Sequence, residues 1–273
     1  MGKATLVQRI VSGTVFLVIM VGCLLHPVSL LALTAFLAVV LSTEFYRLTV
    51  SRRYRKEEIL VVASLVVTPF LFYALPDRWL WLGLLPVVAA AVCQLFDGAE
   101  EHAFVTEPYF PLVYVLPMLL SLLRLSVVQE AFTWRLTLGL FVIIWGCDIG
   151  AYCIGMLFGQ RPDSRKLFPA LSPKKSWIGV AGGTAFAFLA AWAVWALWGG
   201  RVLPLVHWMA LALIAAVFGV LGDLFESLIK RHAGVKDAGR LIPGHGGLLD
   251  RFDDALFVFP VATVYLLTLQ LIG

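Results

Sequence analysis

The feature that most constrains this chain is a succession of nine apolar runs, each close to the length needed to cross a lipid bilayer. A transmembrane helix needs about 20 largely apolar residues, because each residue adds about 1.5 Å and the hydrocarbon layer is about 30 Å thick. Charged residues make up only 14% of the chain, against roughly 25% in soluble domains. The sequence therefore predicts an all-α integral membrane protein, a polytopic bundle of about nine transmembrane helices at 10–25, 28–46, 59–75, 79–95, 109–127, 134–157, 177–198, 204–229 and 254–272.

The basic residues between these runs predict the orientation of the bundle. The N-terminus and the second, sixth and eighth loops carry nearly all of the lysines and arginines, which leaves only Arg78, Arg124, Arg135 and Arg201 for the opposite side. Cytoplasmic loops are the ones enriched in Lys and Arg. We therefore expect a cytoplasmic N-terminus in a multi-pass protein of the cell inner (plasma) membrane, with the chemistry on the cytoplasmic side.

Several other classes of protein are disfavoured by the sequence. The first apolar run resembles a signal peptide, but a second run follows it so closely that a first hairpin of spanning helices is the better interpretation. The net charge of +4 is modest and few aromatic residues accompany the basic clusters, so no nucleic acid partner is expected. The cysteines lie within apolar runs without zinc-type spacing, which favours simple packing.

The eighth apolar run ends in a polar stripe. Asp223, Ser227 and Lys230 are spaced i, i+4 and i+7 and therefore share one helical face. A stripe at the membrane interface with a snorkelling lysine accounts for Lys230 but not for a carboxylate nearly two turns deeper. Ionisable residues inside a membrane span are costly, so this stripe is a candidate functional site.

The segment that follows combines glycines, cations and carboxylates. Gly246 and Gly247 allow the backbone to approach a ligand, and successive N–H groups in such a turn can form a nest for anions. Helix-dipole complementarity explains one acid at the start of the last helix, but Asp250, Asp253 and Asp254 occur there together. Carboxylates facing phosphate groups indicate a bridging Mg²⁺. The candidate phosphate-binding cations of this segment are Lys236, Arg240 and Arg251.

Two upstream segments are candidates for the same site. Asp148 lies in the middle of a predicted span with Tyr152 on the same face, and it either pairs with a buried partner or joins the site. Glycines 146, 150, 155 and 159 would let this helix pack closely on a neighbour. In the sixth loop, Ser172, Lys174 and Lys175 precede the start of a helix, an arrangement that could bind a triphosphate. Cytoplasmic loops are, however, enriched in lysines in any case.

These residues carry a resemblance to a known family. The pattern Ser227-x-Ile229-Lys230-Arg231, then Lys236-Asp237-x-Gly239, then Ile242-Pro243-x-His245-Gly246-Gly247-Leu248-x-Asp250-Arg251-Phe252-Asp253 resembles the signature of phosphatidate cytidylyltransferases (CDP-diacylglycerol synthases) over 27 positions. The resemblance continues upstream in Asp148-Ile-Gly-Ala-Tyr152 and Ser172-Pro173-Lys174-Lys175, and so covers roughly the C-terminal half. One position departs from the family, because Ile178 stands where its members usually have Glu.

The resemblance implies that CTP and phosphatidate are the substrates and that CDP-diacylglycerol and pyrophosphate are the products. It implies Mg²⁺, with a second, monovalent ion such as K⁺ beside it, and leaves a homodimer as one expected assembly. Residues 1–273 then form a single transmembrane domain, with N-terminal helices in 1–130 and a catalytic half in 131–273. The metal-binding residues would be Asp223 and Asp250, with Asp253 close behind them. The other expected site residues are Asp148, Ser227 and Lys230 for catalysis, and Ser172, Lys174, Lys175, Arg231, Lys236, Asp237, His245, Gly246, Gly247 and Arg251 for substrate binding.

Three alternatives remain for this sequence. A polyprenol or phytol kinase would also use a nucleotide, but its hydroxyl acceptor would need a base. A CDP-alcohol phosphotransferase is disfavoured because Asp97-Gly98-Ala99-Glu100 shares only the first step of that family's motif. An ion-coupled transporter would have a use for Asp148 and Asp223, but not for a glycine-rich phosphate turn.

Overall fold

The computed structural model describes residues 3–49, 55–73, 110–129, 131–161, 164–198, 202–244 and 246–272. Most of them are helical. The helices are α1 Lys3–Leu24, α2 Pro27–Thr49, α3 Arg55–Tyr73, α4 Phe110–Tyr114, α5 Leu116–Arg124, α6 Arg135–Leu157, α7 Trp177–Trp198, α8 Leu205–His232 and α9 Leu249–Thr268. Within α8, the α-helical parts Leu205–Ile214 and Val220–His232 are joined by a π-helical turn, Ala215–Gly219.

Five of the described helices, namely α1, α2, α6, α7 and α8, are long and apolar enough to cross a membrane. The chain is therefore a multi-pass membrane protein, as its hydropathy predicts. The α9 helix begins with a charged segment, Asp250–Asp254, and becomes apolar only from Ala255 onward. The predicted span 79–95 lies outside the described residues, so the count of nine stays a prediction.

Most predicted spans agree closely with observed helices, but one does not. The runs 134–157 and 177–198 correspond to α6 and α7 within a residue. The predicted span 109–127 is confirmed only in part, because the apolar helical stretch there is shorter, Phe110–Arg124, and is interrupted at Val115 between α4 and α5. Pro117 lies at the start of α5, where its missing N–H removes a hydrogen bond that a continuous helix would need.

The fold also contains two small antiparallel hairpins that the all-α prediction does not include. In the first, β1 Val127–Val128 pairs with β2 Ala131–Phe132. In the second, β3 Lys166–Phe168 pairs with β4 Ser172–Ser176, with Lys166 opposite Ser176 and Phe168 opposite Ser172. The segment predicted as a phosphate-binding loop is therefore a strand that leads directly into α7.

Glycines allow α6 and α7 to pack with their backbones close together. A Cβ atom at Gly150 would lie 2.5 Å from the Cβ of Phe186, and one at Gly155 would lie 3.6 Å from the Cα of Gly179. Small residues at such positions are typical of membrane helix pairs, where close van der Waals packing drives association. The predicted role of the α6 glycines is confirmed at these two positions.

The polar segments of the described helices meet at one end of the bundle. In the first half of α1, the Ser12 hydroxyl donates a hydrogen bond to the Pro243 carbonyl, at 2.8 Å. Near the end of α2, Glu44 accepts a hydrogen bond from the first residue of α9. The sixth and eighth loops lie at this same end, since Arg231 of α8 contacts the Leu171 carbonyl beside β4. This is the grouping of loops that the charge distribution predicts.

Candidate active site

A cavity of about 740 Å³ opens where α6, α7, α8, α9 and the β3–β4 hairpin meet. Part of its wall is apolar and includes Ile144, Ala151 and Val220. Its other part is lined by most of the residues that the sequence selects as a site. Those residues are Asp148, Lys174, Lys175, Asp223, Ser227, Lys230, Arg231, Lys236, Asp237, Asp250, Arg251 and Asp253. Residues that are up to about 100 positions apart in sequence are thus brought to one surface.

Carboxylates from two helices converge inside this cavity. Asp223 on α8 and Asp253 and Asp254 on α9 each offer an oxygen within 4.8 Å of the others. The carboxyl group of Asp254 also lies against that of Asp148 on α6. Among the residues that the structure describes, the buried Oδ1 of Asp254 has no hydrogen-bond partner.

This arrangement of acids fits a divalent cation. Like charges held this close in a partly buried site repel one another, and a cation between them would offset that cost. Mg²⁺ binds proteins through one or two carboxylates and completes its shell with water and substrate phosphates. The unpartnered oxygen of Asp254 and the grouped oxygens of Asp223 and Asp253 match that ligand chemistry.

Lys175 lies beside these acids because of the hairpin that carries it. Its ammonium group forms an ion pair with Asp223, whose Oδ1 also accepts a hydrogen bond from Ser227 at 3.4 Å. The hairpin is tied to the end of α6, because Gln160 donates to the Lys174 carbonyl at 2.9 Å. The Ser176 hydroxyl accepts a hydrogen bond from the Gly179 N–H, at 3.2 Å, and so caps the start of α7.

Lys230 is the centre of a second, partly buried network. It forms an ion pair with Glu226, one turn earlier in α8, and a 2.8 Å ion pair with Oδ1 of Asp250. The other Asp250 oxygen accepts hydrogen bonds from the N–H groups of Ala238, at 2.9 Å, and Gly247, at 2.8 Å. Asp250 therefore joins α8, the glycine-rich loop and the start of α9.

The contacts of Asp250 determine its ionisation. Burial by itself would raise the pKa of this carboxyl group, but Lys230 and the N–H groups of Gly247 and Ala238 together lower the pKa below its ordinary value. A carboxyl group with a lowered pKa in the folded state stabilises the protein at neutral pH, and that contribution is lost as the pH falls through the lowered pKa. Asp250 is therefore charged under physiological conditions.

The remaining predicted residues occupy different positions. Ser172, Gly246 and Gly247 do not line the cavity, and the Gly247 N–H, which was expected in a phosphate nest, donates to Asp250 instead. Gly246 has a φ of +88°, a conformation that strongly favours glycine. His245 lies outside the described residues. Ile178 is 42% exposed in the first turn of α7 and does not line the cavity.

Three acidic residues at or near this site were not assigned a site role from the sequence, although Asp254 was noted there beside Asp250 and Asp253. Asp254 extends the pattern of Asp250 and Asp253, and its position at i+4 was the available signal. Glu226 is fully buried and holds Lys230. Glu44 is buried in α2 and bonded to α9, and a carboxylate within an apolar run was the signal that would have identified it.

A second cavity, of about 500 Å³, lies between α1, α2 and the segment from Leu241 to Leu248. Its described lining contains no Asp, Glu, Lys, Arg or His residue and is almost entirely apolar. Phosphate groups bind through charged and N–H donors, so this second cavity does not provide a nucleotide site.

The Lys230 network predicts a measurable effect on stability. Lys230→Met should lower the melting temperature in detergent by about 5 to 10 °C, because it leaves the buried Glu226 carboxylate without its cation. Lys174→Met removes the same charge from an exposed position and should change the melting temperature little. Adding Glu226→Gln to Lys230→Met should recover part of the loss. An equal melting temperature for Lys230→Met and Lys174→Met would contradict this account.

Comparison with known proteins adds independent findings. A sequence model described as the cytidylyltransferase family matches residues 7–269. The phosphatidate cytidylyltransferase of Bacillus subtilis (strain 168) is 46% identical over 119 residues, which are 44% of this chain and 42% of that protein. The phosphatidate cytidylyltransferase of Staphylococcus saprophyticus is 41% identical over 127 residues, and that of Staphylococcus aureus (strain COL) is 42% identical over 137 residues. Each match covers 46% of this chain and 47% of the relative. The chain thus spans about half the length of the curated relatives that it matches.

Proposed function

Because this chain belongs to the cytidylyltransferase family, we propose that it transfers CMP from CTP to phosphatidate, giving CDP-diacylglycerol and pyrophosphate for phospholipid biosynthesis. The observation that carries the proposal is the cavity in which carboxylates and lysines face one another, in a chain of membrane-spanning helices. Its relatives in Bacillus and Staphylococcus are named for the same reaction. A site of this kind would serve one water-soluble and one lipid substrate.

The proposed reaction does not require a strong general base. A phosphate oxygen of phosphatidate attacks the α-phosphorus of CTP, and the bond from that phosphorus to the oxygen bridging to the β-phosphate breaks. The attacking phosphate monoester is already largely ionised at neutral pH, because its second pKa is about 6. Catalysis of such a transfer rests mainly on positioning and on stabilising charge. A site with several acids and cations suits this reaction.

The acids and lysines divide this work. Asp223 and Asp253 would hold Mg²⁺ together with Asp254, and Mg²⁺, when bound, would neutralise charge on the phosphates of CTP and the lipid. Lys175, which pairs with Asp223, would bind the triphosphate as the nucleotide enters. Lys174, Arg231, Lys236 and Arg251 line the same cavity and would stabilise charge on the departing pyrophosphate. Ser227 would orient Asp223 through its hydrogen bond.

Asp250 could either bind a metal ion or fix the glycine-rich loop and the start of α9. The family resemblance implies that it binds metal, whereas its oxygens here bond to Lys230, Ala238 and Gly247. Each carboxylate oxygen has two lone pairs, so Asp250 could bind a cation while keeping part of this network. We propose that its main contribution is to fix the loop and the start of α9, and that a monovalent ion such as K⁺ would be its metal partner.

The proposed reaction also requires an orientation in the membrane. CTP is found in the cytoplasm, so the end of the bundle that carries the cavity would face the cytoplasm of the inner (plasma) membrane, together with the N-terminus. The excess of Lys and Arg in the loops at this end supports that orientation. The acyl chains of phosphatidate would remain among the apolar helices. The expected homodimer would be seen as twice the chain mass in light scattering of the detergent-solubilised protein.

The decisive experiment follows labelled CTP with the purified protein and phosphatidate in mixed micelles. With the label on the α-phosphate, radioactivity should enter the lipid fraction only when Mg²⁺ is present. With the label on the γ-phosphate, it should be released as pyrophosphate. Replacing KCl with choline chloride tests the monovalent ion. Transfer of γ-label to an added polyprenol would indicate a lipid kinase, and transport across proteoliposomes without any labelled lipid would indicate a transporter.

A further inference from the structure

Glu44 is a buried carboxylate far from the sequence motifs of the site. It lies near the end of α2, and its side chain is 3% exposed. Removing a carboxylate from water is costly unless it is bonded, and an acid within a membrane helix is therefore a functional candidate. Its partner is Leu249, in the C-terminal half of the chain. The Leu249 N–H donates a hydrogen bond to Oε2 of Glu44, at 2.7 Å.

That hydrogen bond fixes the start of α9. Leu249 is the first residue of the helix, and the first N–H groups of a helix have no partner within it. The positive end of the helix dipole also favours a negative charge at this place. The next residue is Asp250, and Asp253 follows one turn later. The position of Leu249 therefore affects where both carboxylates lie.

The glycine-rich loop is shaped around the same carboxylate. A Cβ atom at Gly247 would lie 2.7 Å from Oε2 of Glu44 and 2.6 Å from the Gly239 nitrogen, and one at Gly239 would overlap Oε1. Both residues must therefore lack a side chain for the loop to lie against Glu44. Two glycines of the site motif thus owe their close packing to a residue about 200 positions earlier in the chain.

We propose that Glu44 is a positioning residue, which holds the start of α9 and the glycine-rich loop so that Asp253 and Asp254 face Asp223. The inference rests on the metal site of the proposed function. Glu44 bonds to the backbone that carries the acids, so its loss should loosen the grouping of their oxygens. Groups that orient metal ligands typically change metal affinity by about 10- to 100-fold when they are removed.

The test measures Mn²⁺ binding by electron paramagnetic resonance with the full chain in detergent, since this readout needs no turnover. Glu44→Ala should weaken Mn²⁺ binding by about 10- to 100-fold. Glu44→Gln keeps an oxygen that accepts the hydrogen bond from the Leu249 N–H. Its Mn²⁺ affinity should therefore fall less than that of Glu44→Ala, but still by about threefold or more. Ser42→Ala is the matched control, because Ser42 is equally buried in α2 and its hydroxyl bonds to carbonyl groups of its own helix.

Wild-type affinity in a folded Glu44→Ala, or an equal loss in Ser42→Ala, overturns the proposal. If Glu44→Ala does not fold, Glu44→Gln compared with Ser42→Ala decides, and equal affinities then overturn it. A wild-type protein that does not bind Mn²⁺ overturns it as well. A wild-type protein that binds Mn²⁺ but transfers no CMP contradicts the proposed function, while the affinities of the variants still test the role of Glu44.

Discussion

Asp223→Asn should lower the rate of CMP transfer by about a hundredfold or more, because it removes one of the proposed ligands of Mg²⁺. Asp223 belongs to the carboxylate group whose oxygens lie within 4.8 Å of one another, and it also pairs with Lys175. The amide of Asn is nearly the same size but carries no charge, so packing should be preserved. The rate is measured with CTP labelled at the α-phosphate, at saturating substrate and over a range of Mg²⁺ concentrations.

The stability of Asp223→Asn without metal should change little, in contrast to its activity. Loss of the partly exposed ion pair with Lys175 should cost about 1 kcal/mol or less, and relief of repulsion from Asp253 and Asp254 should offset it. The melting temperature without metal should therefore change little, while the increase produced by Mg²⁺ should disappear. Glu226→Gln is the control on the next turn of α8 and should show the reverse, with reduced stability and a retained response to Mg²⁺. A normal Mg²⁺ response in Asp223→Asn would contradict the metal assignment.

Asp250→Asn separates the two roles of Asp250. If its main task is to join Lys230 to the loop, the variant should lose stability as well as turnover, with little change in the Mg²⁺ concentration for half-maximal rate. A large increase in that concentration, with stability preserved, would instead make Asp250 a ligand of Mg²⁺. If only the dependence of the rate on K⁺ changes, Asp250 is a ligand of the monovalent ion.

The parts of this fold that the sequence predicts are those that the membrane dictates. The length of a spanning helix follows from bilayer thickness, and for this reason the ends of α6 and α7 agree with the hydropathy within a residue. The site residues on α8 were also predictable, because the spacing of Asp223, Ser227 and Lys230 places them on one face of a single helix. For these features, the thickness of the bilayer or the periodicity of a single helix is sufficient for the prediction.

The parts that were missed depend on contacts between distant segments. The β3–β4 hairpin is too short and polar to give an alternating pattern. The division of the acids, with Asp253 and Asp254 facing Asp223 while Asp250 faces Lys230, depends on how α9 lies against α8. Glu44 bonds to Leu249 across 205 positions, a pairing that spacing cannot reveal. The rule that selected Asp148, an ionisable residue in an apolar run, applied equally to Glu44.

Gly222→Ala should reduce CMP transfer by about 10- to 100-fold, because it pushes the two acid-bearing helices apart. A Cβ atom at position 222 would overlap the Asp253 carbonyl oxygen and lie 3.3 Å from the Cα of Asp254. These are backbone atoms, so the overlap is relieved only if α9 moves away from α8, and a misplacement of about 1 Å can cost about a hundredfold in rate. Rate and Mn²⁺ affinity should fall together, since the displaced helix carries two of the proposed ligands.

Gly219→Ala is the matched control for this prediction, nearly one turn earlier in the same helix. A Cβ atom there would lie 3.5 Å or more from its nearest neighbours, which are side-chain atoms of Asp254 and Val258. Replacing a helical Gly with Ala stabilises a helix by up to about 1 kcal/mol when there is room for the methyl group. Gly219→Ala should therefore melt at or above the wild-type temperature, and Gly222→Ala below it, because the steric overlap exceeds the gain in helix propensity. Equal activity in the two variants would show that the close contact between α8 and α9 does not control the placement of the acids.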